Sequence, residues 1–281
     1  MPATVELLGF GEALHGGEEF LVLRNRLFRQ LVTDHGYRAL AIESSLPKAE
    51  AVNAYIAGHG ASRYEDVADA GISHGFGQLT ANRELVEWMR QYNCDPANAT
   101  KLRFYGFDIP IGTIGAASPR QSFEHVLAFL AVIDERRSAT HRQHIEPLLG
   151  EESAWDNPAM YSDRSLSLGG SQATGELRLA IEDLISELRI QGPGFGTGEH
   201  AAQYSEALHY AIMTRQLLNF HVAFARGAGQ AELLGIRATL MADNLAFILE
   251  QERTAARYWR SPITATYSVA KRSSRSLGGR L

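Results

Sequence analysis

Val5-Glu6-Leu7-Leu8-Gly9-Phe10-Gly11-Glu12, then residues 17–35, then Tyr37-Arg38-Ala39-Leu40-Ala41-Ile42-Glu43 form the stretch on which the fold turns. The first run is short and mostly apolar and turns at Gly11, as a buried strand does. Between residues 17 and 35 the period changes. Phe20, Leu23, Leu27 and Leu31 recur at three- and four-residue spacing, Glu18 and Glu19 suit the positive end of a helix, and Gly36 suits its stop. The third run is again continuous and apolar. Strand, helix and strand in so few residues make a βαβ unit with parallel strands.

Working outward, helical spacing recurs over residues 48–57 and 82–92, and Leu102-Arg103-Phe104-Tyr105-Gly106-Phe107 is a third strand that stops at Asp108. Beyond Gly115 the pattern turns helical, over residues 122–133, 177–190, 201–226 and 232–251. Apolar rows include Ile181/Leu184/Ile185/Leu188 and Leu233/Ile236/Leu240/Met241/Asn244. Residues 150–174, rich in Ser, Gly and Asp, predict a surface loop. The expected class is α/β: a mostly parallel sheet core over residues 1–115 and 231–260, with a helical insertion over 116–230. A basic tail over 253–281 follows.

Composition narrows the function classes. With 281 residues, 45% of them hydrophobic, the chain has ample material for a buried core. A net charge of −5 argues against nucleic acid as the main partner. No apolar run approaches the ~18 residues of a membrane helix, so no membrane partner is expected. Met1-Pro2-Ala3-Thr4 has no basic, signal-like character, and Cys94 is the only cysteine, so a reducing cytoplasm is the expected compartment.

The chemistry-bearing residues fall where parallel sheets place their sites, at the carboxyl ends of strands. Glu12 and His15 follow the first strand, Glu43 ends the second and Asp108 ends the third. A single strand-end carboxylate usually caps a turn, but three strands ending in an acid, one with a histidine nearby, point to a shared crevice. Arg24 sits at the margin of the apolar face of its helix, where a guanidinium must be paired, with Glu43 or Glu12 as the expected partner. His74, in Ser73-His74-Gly75-Phe76-Gly77, can line the same crevice. His209 and His221 read as ordinary packed or exposed residues of a long helix.

Gly11-Glu12-x-x-His15-Gly16, the helix with Arg24 and Phe28, and Ala41-Ile42-Glu43 resemble the erythromycin esterase family. So do Val52-Asn53-x-Tyr55-Ile56, residues 82–93, Phe104-Tyr105-Gly106-x-Asp108 and Met241-Ala242-x-Asn244-Leu245. The resemblance implies a hydrolase without metal or other cofactor that opens the lactone ring of macrolide antibiotics, a route to macrolide resistance. It implies His15 as general base on water, with Glu12, Arg24 and Glu43 around it, and a small ester or macrolide met by Asp108 and His74. The chemistry suits the residues: histidine titrates near neutrality, and a flanking carboxylate orients its ring. No Gly-x-Ser-x-Gly elbow follows a predicted strand, which argues against a serine nucleophile. Two alternatives stand beside this one. Glu12, His15 and Glu43 could ligate a metal, as metal-dependent or haem-binding relatives of the fold do, although Gly11-Glu12-x-x-His15 lacks the first histidine of the zincin helix. A non-enzymatic binding protein is the other.

Against the family pattern the chain is expected to be incomplete at both ends. It begins almost at the first strand, and it lacks a fourth strand ending in a His-Asn-x-His element. After Glu252 come seven basic residues and no acid. Read in a shifted frame with permitted synonymous codons, Tyr258 to Thr266 yields Leu-Ala-Phe-Ala-His-Asn-Ser-His. The tail is therefore expected to be a frameshifted version of the missing element, without selected structure, in a copy with little or no activity.

Overall fold

The computed structural model describes residues 5–12, 14–110, 116–255 and 263–268; the side chains of Glu12, residues 254–255 and residues 263–268 fall outside that description. The opening unit is β1 (Leu7–Glu12), α1 (Glu18–His35) and β2 (Ala39–Ser45). Gly36 ends α1 in the left-handed conformation (φ 73°), its amide returning to the Leu31 carbonyl, a geometry that needs no Cβ. Then come α2 (Leu46–Ile56), α3 (Glu65–Gly71), α4 (Thr80–Cys94) and β3 (Arg103–Asp108).

The sheet order is β1-β4-β2-β3 and every pairing is parallel. β4 (Ile263–Ser268) lies between β1 and β2, with Ile263 opposite both Leu7 and Ala39. This corrects the expectation that the tail carries no structure and that a fourth strand is lacking. β1 and β2 are not neighbours, so each offers an unpaired edge to the gap between them, and Ile-Thr-Ala-Thr-Tyr-Ser has the β-branched character to fill it. The frameshift reading of Tyr258 to Thr266 falls largely on residues 256–262, outside the described residues.

The remainder is helical: α5 (Arg120–Ile133), α6 (Glu135–Leu149), the short α7 (Glu152–Trp155), α8 (Gln172–Phe195), α9 (Ala201–Ala225) and α10 (Gln230–Ala255). Residues 150–174 are a correction too. They form α7 and three single-turn 3₁₀ segments rather than a bare surface loop, with Trp155 and Met160 buried. Their polar residues cap the 3₁₀ turns and the start of α8: Asn157, Asp163 and Ser167 side chains each accept a backbone N–H of a turn, and Ser171 accepts the Thr174 N–H of α8.

Strand alternation splits the core into two. Leu40 and Ile42 pack with Phe28, Val52, Leu85, Val86 and Phe104 on the side of α1–α4. Ala39 and Ala41 face the other way, into a larger core with Phe107, Phe123, Leu184, Leu217 and Leu240 from the later helices. β2 is thus buried on both faces. Small alanines on one face let the helical layer approach closely, and Glu43 continues the Ala39–Ala41 face toward it.

Candidate functional site

The site begins with a break in strand pairing. β2 and β3 run in register from Ala39↔Arg103 to Ile42↔Gly106, then resume at Ser45↔Asp108, so β2 carries one extra residue between them. Such a bulge re-aims side chains at a sheet rim, and here it contains Glu43. Gly106 makes the bulge possible: a Cβ there would run into the backbone carbonyls of Ser44 and Ser45.

The bulged end also anchors the loop that carries His74. Ser73 N–H donates to Ser44 Oγ (2.8 Å), and Ser45 N–H donates to Ser73 Oγ (3.1 Å). The next residue, His74, holds φ at 63°, the one non-glycine residue in the left-handed region among the described residues. That conformation costs a side chain of this kind about 1 kcal/mol or more and is a mark of functional loops. It brings His74 Nε2 to 3.3 Å from Asp108 Oδ2.

Asp108 is the centre of the arrangement. Its side chain has no exposed surface, and Oδ1 accepts the Ile109 amide (2.8 Å). Arg237 of α10 grips it with both arms of the fork: Nε to Oδ1 at 2.9 Å and Nη2 to Oδ2 at 2.5 Å. The same Nη2 reaches Glu43 Oε1 at 2.7 Å. Burial pushes the Asp108 carboxyl upward, but the hydrogen bonds from His74 and Arg237 outweigh it and hold the group below the usual carboxylate range. Arg237, bonded first to Asp108 and then facing Glu43, is held further into its charged form.

On the other wall Arg24 is 2% exposed. Its Nε and Nη2 donate to Asn25 Oδ1 (3.1 and 2.8 Å), and Nη2 also donates to Asn82 Oδ1 (2.7 Å). Asn82 passes this on, donating to the Phe76 carbonyl at 2.9 Å. The start of α4 is closed by Glu18 of α1, which accepts the Thr80 and Ala81 amides at 2.7 and 2.9 Å. Arg24 thus bonds to the segment bearing Phe76 and Glu43 bonds to Arg237; the side chain of Glu12, the other expected partner of Arg24, lies outside the described residues. The Phe76 ring is the hinge of the site: His15 meets it edge-on at 4.9 Å and His74 lies 5.5 Å away. His15 is exposed at the mouth.

The structure therefore brings Glu43, His74 and Asp108 into one cluster and sets His15 beside it through Phe76. Glu12 ends β1, and its side chain lies outside the described residues. Among the described residues no group of three His, Cys, Asp or Glu side chains could hold a metal. Arg237 is the residue that reading the sequence missed. Its signal was available: it sits inside the apolar row Leu233/Ile236/Leu240/Asn244 of α10, where a charge must be paired.

The sequence pattern of the family described as erythromycin esterase matches residues 32–261. The match includes Glu43, His74, Asp108, Arg237 and Asn244, and begins after His15. Erythromycin esterase type II of Escherichia coli is 22% identical over 254 residues, 88% of this chain and 57% of that protein. An erythromycin esterase mutant in its open conformation superimposes with a TM-score of 0.68 at 17% identity, over 94% of this chain and 60% of the other. A Bacillus cereus protein gives 0.69 at 15% identity, over 94% and 57%. A succinoglycan biosynthesis protein gives 0.67 at 18% identity, over 94% and 56%. At these identities the likeness is one of fold, and the chain spans a little over half the length of the relatives it matches.

Proposed function

Because the chain belongs to the erythromycin esterase family, we propose that it takes part in the water-activated hydrolysis of an ester or macrolactone, with His15 as general base. The observation that carries this reading is the Glu43–Arg237–Asp108–His74 cluster at the ends of β2 and β3, with His15 set beside it across Phe76. An exposed imidazole at the mouth can take a proton from water near neutral pH. As the hydroxide adds to the ester carbonyl, negative charge grows on its oxygen. Arg237 is the cation nearest the solvent side, its side chain a quarter exposed, and is the group to meet that charge.

Asp108 and Glu43 fix the Arg237 fork in direction, so it costs little reorganisation when charge develops. His74, 27% exposed, donates its Nε2–H to Asp108, which leaves Nδ1 as an acceptor for a substrate hydroxyl. Arg24 is buried among amides; its part is to hold the Phe76 segment, and through it the placement of both imidazoles. A small-molecule ester is the partner that membership of this family supports. Among the described residues no helix is long and apolar enough to cross a membrane.

The test is hydrolysis of an activated aryl ester and of a macrolactone by the purified chain, the second followed as a mass gain of one water. The reading expects activity that rises through the histidine range of pH and survives a strong chelator. No hydrolysis of either substrate, or complete loss on chelation restored by metal, would overturn it.

A further inference from the structure

Asn244 lies seven residues, two helical turns, after Arg237 on α10, so both side chains leave the same face about 10.5 Å apart. It has no exposed surface. Its amide nitrogen donates to two backbone carbonyls of β3, Phe107 O at 3.1 Å and Asp108 O at 3.2 Å. Its Oδ1 takes a hydrogen bond from His209 Nε2 of α9 at 2.8 Å. The His209 ring lies flat on Phe247, three residues beyond Asn244, with centroids 4.0 Å apart and planes within 1°.

This geometry leaves the amide one orientation. A carboxamide can turn either end toward a neighbour; here two acceptor carbonyls fix the nitrogen end toward β3, and the oxygen end then requires a donor. His209 is that donor. With its oxygen engaged, the Asn244 NH₂ is aimed at the two carbonyls, and both of its hydrogens are used. Burial pushes the His209 ring down to about 4, opposed by its bond to Asn244, so the ring is neutral at physiological pH and serves as a hydrogen-bond donor.

We infer that His209 and Asn244 are positioning residues that hold the end of β3 so that the Asp108 carboxylate meets Arg237. Helix α10 grips Asp108 twice, at its backbone through Asn244 and at its side chain through Arg237. Two grips two turns apart fix the strand end against rotation and sliding. A single grip through Arg237 would let the carboxylate swing toward His74 or away from it. The role of this pair in turnover rests on the proposed esterase reading; the geometric claim does not.

Hydrogen exchange resolved to single amides separates the two. The Ile109 amide bonds to the Asp108 carboxylate itself, so its protection reports that side chain, whereas the amides of Arg103, which donates to the Arg38 carbonyl at 2.8 Å, and Tyr105 report the strand. In His209→Leu and in Asn244→Asp, Ile109 should exchange about tenfold faster relative to Arg103 and Tyr105, the scale of one lost hydrogen bond. His209→Gln, which keeps an N–H donor, should restore most of that protection. Where the leucine variant does not fold, Asn244→Asp and His209→Gln give the same comparison. Ile109 unchanged, or all three amides accelerated together, would overturn the inference. Turnover is the second readout. In the same variants kcat should fall about tenfold to a hundredfold with KM little changed, as for a displaced catalytic group. A wild-type chain without hydrolase activity would sink the proposed function and leave the exchange result to decide this inference alone.

Discussion

The two walls of the site are built from different bonds. The wall of α1 and α4 is stitched mainly by amides, hydroxyls and helix-end groups: Arg24 to Asn25 and Asn82, Asn82 to the Phe76 carbonyl, Ser44 to Ser73, Glu18 to the start of α4. The wall of α10 is held by charge, one guanidinium against two carboxylates, with a neutral histidine–asparagine pair behind it. The first kind of wall rests mostly on amide and hydroxyl bonds, with the Glu18 carboxylate at the start of α4. The second is where protonation and ligand charge can act. Substitutions that break one wall at a time show whether that division holds.

The largest effect should come from Arg237→Met. It leaves Asp108 buried without its main counter-ion, a loss of about 3–5 kcal/mol in unfolding free energy by denaturant titration. The double variant Arg237→Met with Asp108→Asn should recover a good part of that, because the uncompensated charge is gone. Equal instability of the single and double variants would mean packing, not charge, holds this wall.

Acid should act next, and through α9 and α10. His209 has a folded-state pKa near 4 against ~6.5 unfolded, so the unfolded chain binds the extra proton first. Its contribution is complete above pH ~6.5 and drains away as pH falls toward 4, up to about 3 kcal/mol. Asp108, depressed instead, holds its contribution above the ordinary carboxylate pKa and loses it only at lower pH still. Unfolding midpoints of the wild type and His209→Gln, followed from pH 7 to pH 4, should converge as pH drops. Parallel curves would remove His209 from the account.

On the amide wall, Asn82→Leu removes one of the acceptors of the buried Arg24 and should cost about 1–3 kcal/mol at any of these pH values. Glu18→Gln, which keeps the shape but drops the charge at the start of α4, should cost about 1 kcal/mol or less. A pH-dependent penalty for Asn82→Leu would blur the distinction between the walls.

The same contrast explains what could be read from the chain. The parallel strands β2 and β3 and the long helices are written locally: continuous apolar runs such as Leu40-Ala41-Ile42, and rows such as Ile181/Leu184/Ile185/Leu188. Helix α6 escaped because it has little apolar periodicity, burying only Ser138, Ile145 and Leu149, and carries Pro147. Residues 150–174 misled because polarity marks turns but not whether the turns pack; Trp155 and Met160 decide that, and neither stands in a periodic row. β4 was invisible because a strand that fills a slot between two others takes its stability from their edges, not from its own pattern.

For the site, Glu43, His74 and Asp108 were legible from position alone, since strand ends converge in a parallel sheet. The Glu43 geometry was not, because the bulge that aims it is a register event between two chains of hydrogen bonds. Arg24 was noticed because it interrupts an apolar face. Arg237 interrupts one in the same way and was passed over, 194 residues from Glu43, where no local pattern connects the two. Asn244 stood in the apolar row of α10 from the start; what sequence could not supply was the pair of carbonyls it meets.

His15 offers the most direct test of the whole account, because it is exposed and is the residue proposed as general base. His15→Ala should therefore unfold within about 0.5 kcal/mol of the wild type, as surface substitutions do. Hydrolysis of the ester substrate, measured on both proteins under one set of conditions, should fall by about 10²–10⁴ in the variant, the share of a general base. A His15→Ala protein that hydrolyses the ester at the wild-type rate would contradict the mechanism.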